Sequence, residues 1–214
     1  MVTSKAKGKP SASAIKRLLT SKKLTTANQL NSLLEDQKLE VEGHQYTLRC
    51  TRDLAPTTLD RVFDLFKENM REMYERSKWG YNETKLKNEY RDKDSRFLIV
   101  TEDGNDNLCG FCHFQFVEED EHRAVAYCLD IQISKSSQGR GLGRWILEKL
   151  FEIGKKAEME AVMLTCFKFN EPALRFYRDR QGLSRFETDE NCPSVCDSSA
   201  PLSYDYVILS KKIQ

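Results

Sequence analysis

The sequence predicts an α/β fold in which a mixed sheet carries helices on both faces and a short helical arm precedes it. Three observations carry this. Strand-like and helix-like segments follow one another in the order β, α, α, β, β, β, α, β, α, β, β. The 214 residues are 39% apolar, enough to fill one core. A glycine-rich turn joins a long strand-like run to an amphipathic helix, with no internal repeat and no second domain in sight.

The elements can be justified in order. Residues 1–14 are mostly Lys, Ser, Ala and Gly and are expected to form a disordered basic tail. Ile15, Leu18, Leu19, Leu30, Leu33 and Leu34 recur at helical spacing, so 15–42 is expected to be a helical arm packed on a body at 43–214. Tyr46–Arg52 alternates like a strand. Pro56 opens a helix through Tyr74 with Leu59, Val62, Phe63, Phe66, Met70 and Met73 on one face. The polar stretch 82–94 reads as a second helix. Two strands, 96–101 and 108–117, flank a turn at 103–107 rich in Asp, Asn and Gly. A long strand at 124–134 leads into the glycine turn and the helix 142–157. The remaining elements are a strand at 162–166, a helix at 171–180, a short strand at 183–186, a polar loop at 188–203 and a last strand at 204–209.

Charge is balanced at +1, but not evenly. Residues 1–23 carry seven basic side chains and no acid, which leaves −6 for the rest. The body is therefore not built to bind nucleic acid sequence-specifically, and the basic segment is expected to contact ribosomal RNA or serve nuclear import. No apolar run approaches the ~18 residues of a membrane helix, and the N-terminus lacks the apolar core of a secretory signal. Cytoplasm and nucleus are the expected locations, with no membrane partner. The seven cysteines include Cys109 and Cys112 at CxxC spacing and Cys192 and Cys196 four apart. Because the first pair lies in a strand-like apolar run, these residues are read as small hydrophobes and no metal is expected.

The turn Gln138-Gly139-Arg140-Gly141-Leu142-Gly143 has the parts of an anion site. Glycines allow positive φ and close backbone approach, and the helix start that follows offers unpaired N–H groups. Arg140 adds charge. The dinucleotide fingerprint fails, because Arg144 or Ile146 stands where its third glycine would be, and a P-loop would need Gly-Lys-Ser/Thr.

With its flanking strand and helix, Gln138-x-x-Gly141-x-Gly143 resembles the coenzyme A pyrophosphate loop of the GNAT acyltransferases. Four stretches narrow the resemblance to the NatD-type N-alpha-acetyltransferases of that superfamily: Asn69–Tyr81 with its Met-Tyr and Trp-Gly pairs, Ala126–Ile133, Met163–Asn170, and Tyr206–Lys212. The resemblance spans about residues 45–212 and implies a mostly antiparallel GNAT sheet and acetyl-coenzyme A as cosubstrate. It implies acetyl transfer to the N-terminal α-amine of serine-starting basic peptides, those of histones type 4 and type 2A. Residue by residue, it places Ile131, Gln132, Ile133, Leu142, Arg144, Asn170 and Tyr177 with the turn on the coenzyme. Tyr74, Trp79, Leu129, Thr165 and Tyr206 would meet the peptide. Asp130 would be the general base, aided by Tyr74 and Tyr206.

Two positions depart from that family. Asp130 stands where it has glutamate, one methylene shorter, and Leu129 stands where it has tyrosine. Glu118 or Glu119 could then share the work of the base. The acidic run 118–121 and the acids Asp189, Glu190, Asp197 and Asp205 also suit a cationic peptide, so Glu118 and Glu119 are candidate substrate contacts. Direct transfer in a ternary complex is expected over an acetyl-cysteine on Cys128 or Cys166, since no histidine neighbours either in sequence. His113 could pair with a strand neighbour, or simply pack. Two other readings remain open at this point: acetylation of lysine side chains or small amines, and a coenzyme-binding module without catalysis.

Overall fold

The computed structural model describes residues 17, 26–104, 107–119, 122–178, 185–196 and 204–214. The basic tail, most of the expected arm before Thr26, part of the turn at 103–107, Asp120 and Glu121, residues 183–184 and Asp197 lie outside them.

Along the chain run α1 (Ala27–Asn31), β1 (Lys38–Val41), β2 (His44–Thr51), α2 (Pro56–Arg76), α3 (Glu83–Glu89), β3 (Arg96–Glu102), β4 (Asn107–Glu119) and β5 (Arg123–Ile133). Then come α4 (Leu142–Lys156), β6 (Ala161–Phe167), α5 (Glu171–Arg178), β7 (Glu187–Thr188), α6 (Pro193–Cys196) and β8 (Tyr206–Lys212). Eight strands form one sheet in the order β1-β2-β3-β4-β5-β6-β8-β7. Every pairing is antiparallel except β5 with β6.

Strand alternation divides the core between the two faces. Leu98 and Val100 of β3 pack with Trp145, Ile146 and Leu150 of α4 and with Leu30 and Tyr177. Phe97 and Ile99 point the other way, onto Val62, Phe63 and Phe66 of α2 and Leu86 and Tyr90 of α3. The helices thus lie on both faces, as the sequence predicts.

Several boundaries differ for local reasons. Residues 38–41, inside the expected helical arm, form the edge strand β1, in register with β2 from Lys38↔Thr47 to Val41↔His44. Helix α1 is a single capped turn: Thr26 and Gln29 close a capping box. Its last residue, Asn31, uses both side-chain atoms on the backbone of Cys50, at 2.7 and 2.8 Å. Helix α3 ends at Glu89 rather than 94, because Tyr90 turns into the core at 4% exposure. Beyond it the Asp92 carboxylate accepts from the Asp94 N–H at 2.7 Å, a local bond that competes with helix. Of the short strand expected at 183–186, residues 185–186 are not strand and the rest lies outside the described residues, while β7 follows at 187–188; the last strand starts and ends later than expected, at Tyr206–Lys212. The polar loop contains a helical turn, α6.

The segment before β8 is anchored by Asp189, 1% exposed, whose carboxylate accepts from the Arg123 guanidinium at 3.0 Å. Burial opposes its charge, but hydrogen bonds from Ser210, the Asn191 N–H and Arg123 outweigh burial and hold its carboxyl below the usual range. A depressed folded value stabilises above the unfolded value and is lost as pH falls through the folded one. Asp189→Asn is therefore expected to lower Tm clearly at pH 7, since it leaves Arg123 without its charge partner. The difference from wild type should begin to shrink below about pH 4, the ordinary carboxylate value, and be lost as pH falls through the lower folded value. Thermal melts at the two pH values measure it.

Candidate active site

The site begins with an irregularity in β5. Opposite β4, Asp130 pairs with His113, but the next β4 residue, Phe114, pairs with Cys128. Leu129 is the extra residue of a β-bulge. In a regular strand, Cys128 and Asp130 would share a face. The bulge instead leaves Cys128 on the α4 side of the core and turns Asp130 to the opposite side, beneath α2 and α3.

There the Asp130 side chain, 11% exposed, accepts a hydrogen bond from the Tyr90 hydroxyl at 2.9 Å. His113 Nδ1 lies 3.8 Å from the same carboxylate oxygen. Burial first, and then the Asp130 charge, push the Tyr90 phenol far up, and burial with Asp130 and Glu89 does the same to Tyr74. Both phenols therefore stay protonated, and Tyr90 donates to Asp130, the acceptor at the centre. Glu89 is close enough to feel Asp130: burial raises its carboxyl, Lys85 opposes, and Asp130 raises it further.

An aromatic wall adjoins this group. Tyr74 meets Trp79 at 6.1 Å and Phe167 at 5.4 Å, and Trp79 meets Phe167 and Tyr206 at 5.1 Å each, as ring centroids. Trp79 is 49% exposed, so the wall opens to solvent. It exists because α2 ends at Ser77, whose N–H returns to Met73 and Tyr74 carbonyls while its hydroxyl donates to Tyr74 O at 2.8 Å. The Lys78 N–H then donates to Asp205, tying the helix end to the start of β8 at 2.6 Å.

On the far side of the bulge, β5 and β6 diverge. Their parallel pairing ends at Cys128↔Leu164, although β5 runs on to Ile133 and β6 to Phe167. The edge of β5 from Leu129 to Ile133 is thus unpaired with β6. Gly139 and Gly141 both have φ of +79°, and Gly141 caps α4 with no side-chain bond to the first helical N–H groups. The first N–H groups of α4 thus have no side-chain cap, as an anion site at a helix start requires. Gly143 is a close approach: a Cβ there would lie 3.3 Å from the Phe176 ring. A splayed strand edge and an uncapped glycine turn fit the pantetheine and pyrophosphate of acetyl-coenzyme A.

Residues 59–183, more than half of the chain, match the acetyltransferase (GNAT) family. The chain belongs to that family. The acetyltransferase is 28% identical over 162 residues to an uncharacterized N-acetyltransferase of Methanocaldococcus jannaschii, covering 70% of this chain and 69% of that protein. Its fold is similar to a GNAT acetyltransferase of Listeria monocytogenes, with a TM-score of 0.56 and 15% identity over 82% of this chain and 99% of that one. It is also similar to NAA60 of Arabidopsis thaliana, crystallised with a bisubstrate analogue, with a TM-score of 0.56 and 16% identity over 78% and 99%. The protein is an acetyl-coenzyme A-dependent acetyltransferase of GNAT type.

Within this acetyltransferase the residues singled out from sequence fall into three sets. Asp130, Tyr74, Trp79, Thr165, Leu129 and Tyr206 lie around the bulge and the aromatic wall. Thr165 shares a hydrogen with Tyr127 across the two strands at 2.6 Å, and Leu129 is 40% exposed at the bulge. The residues expected on the coenzyme lie along the end of β5, the glycine turn, α4 and α5. Leu142 is 1% and Gln132 6% exposed, so only their backbone can meet a ligand, and the Gln132 side-chain oxygen Oε1 accepts from the Asn69 amide of α2 at 3.1 Å. Arg140 is held by the Tyr46 hydroxyl at 2.6 Å, and Arg144 pairs with Glu148 at 2.9 Å. Gln138 donates to Ile133 O at 3.2 Å. Ile131 and Ile133 pack beside the α4 core. Asn170 caps α5 through the Ala173 N–H at 3.3 Å, and Tyr177 is 7% exposed, with Cys128, Cys166 and Asp130 near enough to raise its phenol beyond what burial does.

Glu118 and Glu119 are a different case. They pair with Ala124 and Arg123 at the opposite end of β4 and β5, five and six residues beyond His113. At about 3.3 Å per residue this is roughly 16–20 Å from Asp130. Glu118 is engaged by His122 at 2.7 Å. Sharing the base function is ruled out by this distance. Glu118→Ala with Glu119→Ala is expected to leave kcat within about twofold of wild type, because neither carboxylate reaches the reacting amine. Steady-state kinetics with basic and neutral peptides measure it.

The cysteines also resolve. Cys166 is pushed up to about 11 by burial, with Arg178 opposing, and burial and Cys128 raise Cys112 well above its ordinary value. Cys109 and Cys112 are buried in β4, and among the described residues no group of three or more His, Cys, Asp or Glu is placed to hold a metal. Sequence reasoning missed Tyr90, Ser95, Gln115, Glu89 and Phe167. Tyr90 is the lone aromatic in a polar stretch, and nothing in local spacing signals that it would reach a strand 40 residues away.

Proposed function

We propose that this acetyltransferase transfers acetyl from acetyl-coenzyme A to the N-terminal α-amine of a serine-starting basic peptide, with the histone type 4 and type 2A N-termini as substrates. The observation that carries the reading is the aromatic opening of Tyr74, Trp79, Phe167 and Tyr206 leading onto Asp130. A flexible, small-residue chain end can enter beside such a wall, and a buried carboxylate at its base suits a terminal ammonium. The carboxylates of Glu89 and Asp205, rather than Glu118 and Glu119, supply negative charge at this end of the sheet.

In the mechanism, Asp130 takes a proton from the ammonium, whose ordinary value near ~8 leaves it largely charged at neutral pH. Tyr90 holds the carboxylate from the core side, and Tyr74 and Tyr206 orient the amine. The free amine attacks the thioester directly, since the buried thiols beside the site resist ionisation. The N-terminal basic segment, residues 1–23, is assigned to contacts with ribosomal RNA or import factors, in keeping with action in cytoplasm and nucleus.

The test is mass spectrometry of a Ser-Gly-Arg-Gly-Lys peptide incubated with acetyl-coenzyme A and the protein. The acetyl group is expected on the α-amine. An N-terminally blocked peptide with free lysines should stay unmodified, and acetyl-lysine in it would overturn the reading.

A further inference from the structure

His113 is 1% exposed, and its ring lies between Phe97, stacked at 4.7 Å and 14°, and Tyr90 at 4.7 Å. Its two nitrogens have unlike surroundings. Nε2 sits 2.7 Å from the Ser95 hydroxyl oxygen. Ser95 has one hydrogen, which it donates to the Glu89 carbonyl at 3.0 Å, and its oxygen also receives the Gln115 amide at 3.3 Å. The Nε2 of His113 is therefore the donor to Ser95, which leaves Nδ1 as a bare lone pair. That Nδ1 is buried without a hydrogen-bond partner and faces Asp130, directly opposite it in the β4–β5 register. Two acceptors face each other with no hydrogen between them, an arrangement short of one proton.

The atoms Ser95, His113 and Asp130 occur in the order of a nucleophile triad. Ser95 is fully buried, however, and its hydrogen is committed to Glu89 O, so it can only orient the imidazole.

We propose that His113 is a positioning residue that acts through Asp130, the two holding between them the proton released by the substrate ammonium. This rests on the amine-acetylation reading above. As the carboxylate takes the first proton, a contraction of the 3.8 Å gap by about 1 Å makes an Asp130–His113 hydrogen bond, the tightening expected of such contacts when substrate binds. The freed amine attacks the thioester carbon, the C–N bond forms and the C–S bond breaks. The second nitrogen proton leaves with the coenzyme thiolate as thiol, and the stored proton returns to solvent after product departs. The charged and titratable groups around His113 and Asp130 are Glu89 at the end of α3 and Tyr90 just after it, Tyr74 from α2, Cys112 from β4, Cys128 from β5 and Tyr177 from α5, with Ser95 and Gln115 as the neutral ones. The bulge at Leu129 is what makes the pair, since without it Asp130 would sit on the other face. An aspartate one methylene shorter than glutamate reaches less far toward substrate, and the neighbouring imidazole compensates by accepting what the carboxylate collects.

The experiment compares kcat–pH profiles of wild type and His113→Phe, which keeps an aromatic ring between Phe97 and Tyr90, by following thiol release with whichever amine acceptor wild type uses. The expected result is a kcat lower by about 10-fold or more, KM for both substrates within about twofold, and an acid limb moved to lower pH, because the proton then rests on the carboxylate alone. An unchanged kcat and limb in a folded variant would overturn the proposal. Nitrogen-15 NMR of the wild-type histidines is independent of turnover and of the variant's folding. It should show His113 as the Nε2–H tautomer, and a hydrogen on Nδ1 at neutral pH would equally overturn it. If wild type acetylates lysine side chains instead of α-amines, the acceptor reading fails, while the His113 comparison is made on the lysine peptide with the same expectation.

Discussion

Asp130→Asn is expected to lower kcat by about 100- to 10,000-fold, the loss typical when a positioned general base is removed, with KM for acetyl-coenzyme A nearly unchanged. The substitution is well suited to the site. The asparagine carbonyl can still accept the Tyr90 hydroxyl, which donates to Asp130 at 2.9 Å, so packing beneath α2 and α3 is retained while the ionisable group is lost. The phenols cannot replace it, because burial and the neighbouring carboxylates keep Tyr74 and Tyr90 protonated. The Glu118–Glu119 pair lies too far along the strand. Thiol-release kinetics on the variant, with thermal melts to confirm folding, give the result. A kcat within threefold of wild type would remove Asp130 from the chemistry.

Gly141→Val is expected to raise KM for acetyl-coenzyme A by about 5- to 150-fold, with a smaller effect on KM for the peptide. Gly141 has φ of +79° and caps α4 with no side-chain help. A β-branched residue in that region is strained by about 1–3 kcal/mol, and the turn relieves the strain by rotating its N–H groups out of place. Coenzyme binding then has to restore the strained turn, and 1.4 kcal/mol corresponds to about tenfold in affinity. Gly43 is a control with the same φ of +79°, placed in the hairpin between β1 and β2. Gly43→Val should lower Tm and leave KM alone. Equal KM effects from both substitutions would show that the turn acts only through general stability.

The two substitutions fall on residues that sequence reading found by different routes. Gly141 was legible because its signal is local: glycine spacing, a preceding strand and a following amphipathic helix all lie within about twenty residues. Asp130 was legible as the candidate base only through the family resemblance, without its surroundings. Its partners come from α3 and β4, and its orientation comes from one extra residue in β5. Strand alternation read from the sequence would place Asp130 with Cys128, toward α4. The acidic run at 118–121 looked like part of the site because charge is visible in sequence and distance is not. The same applies to Gln132, Leu142 and Tyr177, whose side chains are mostly buried.

The sequence by itself determined the order of the elements from β2 to β8 apart from the turn α6, the two-sided packing of helices on a sheet, and the glycine turn that opens α4. Each of these follows from interactions between residues close in the chain: apolar periodicity of two or 3.6, glycine's access to positive φ, and the unpaired donors of a helix start. Only the tertiary structure decided the bulge at Leu129, the divergence of β5 from β6 after Cys128, and the meeting of Asp130 with Tyr90 and His113. These depend on register between strands and on which helix covers which face. A shift of one residue exchanges the faces of a strand, so its outcome is set by packing of segments far apart in sequence and not by any spacing within one of them.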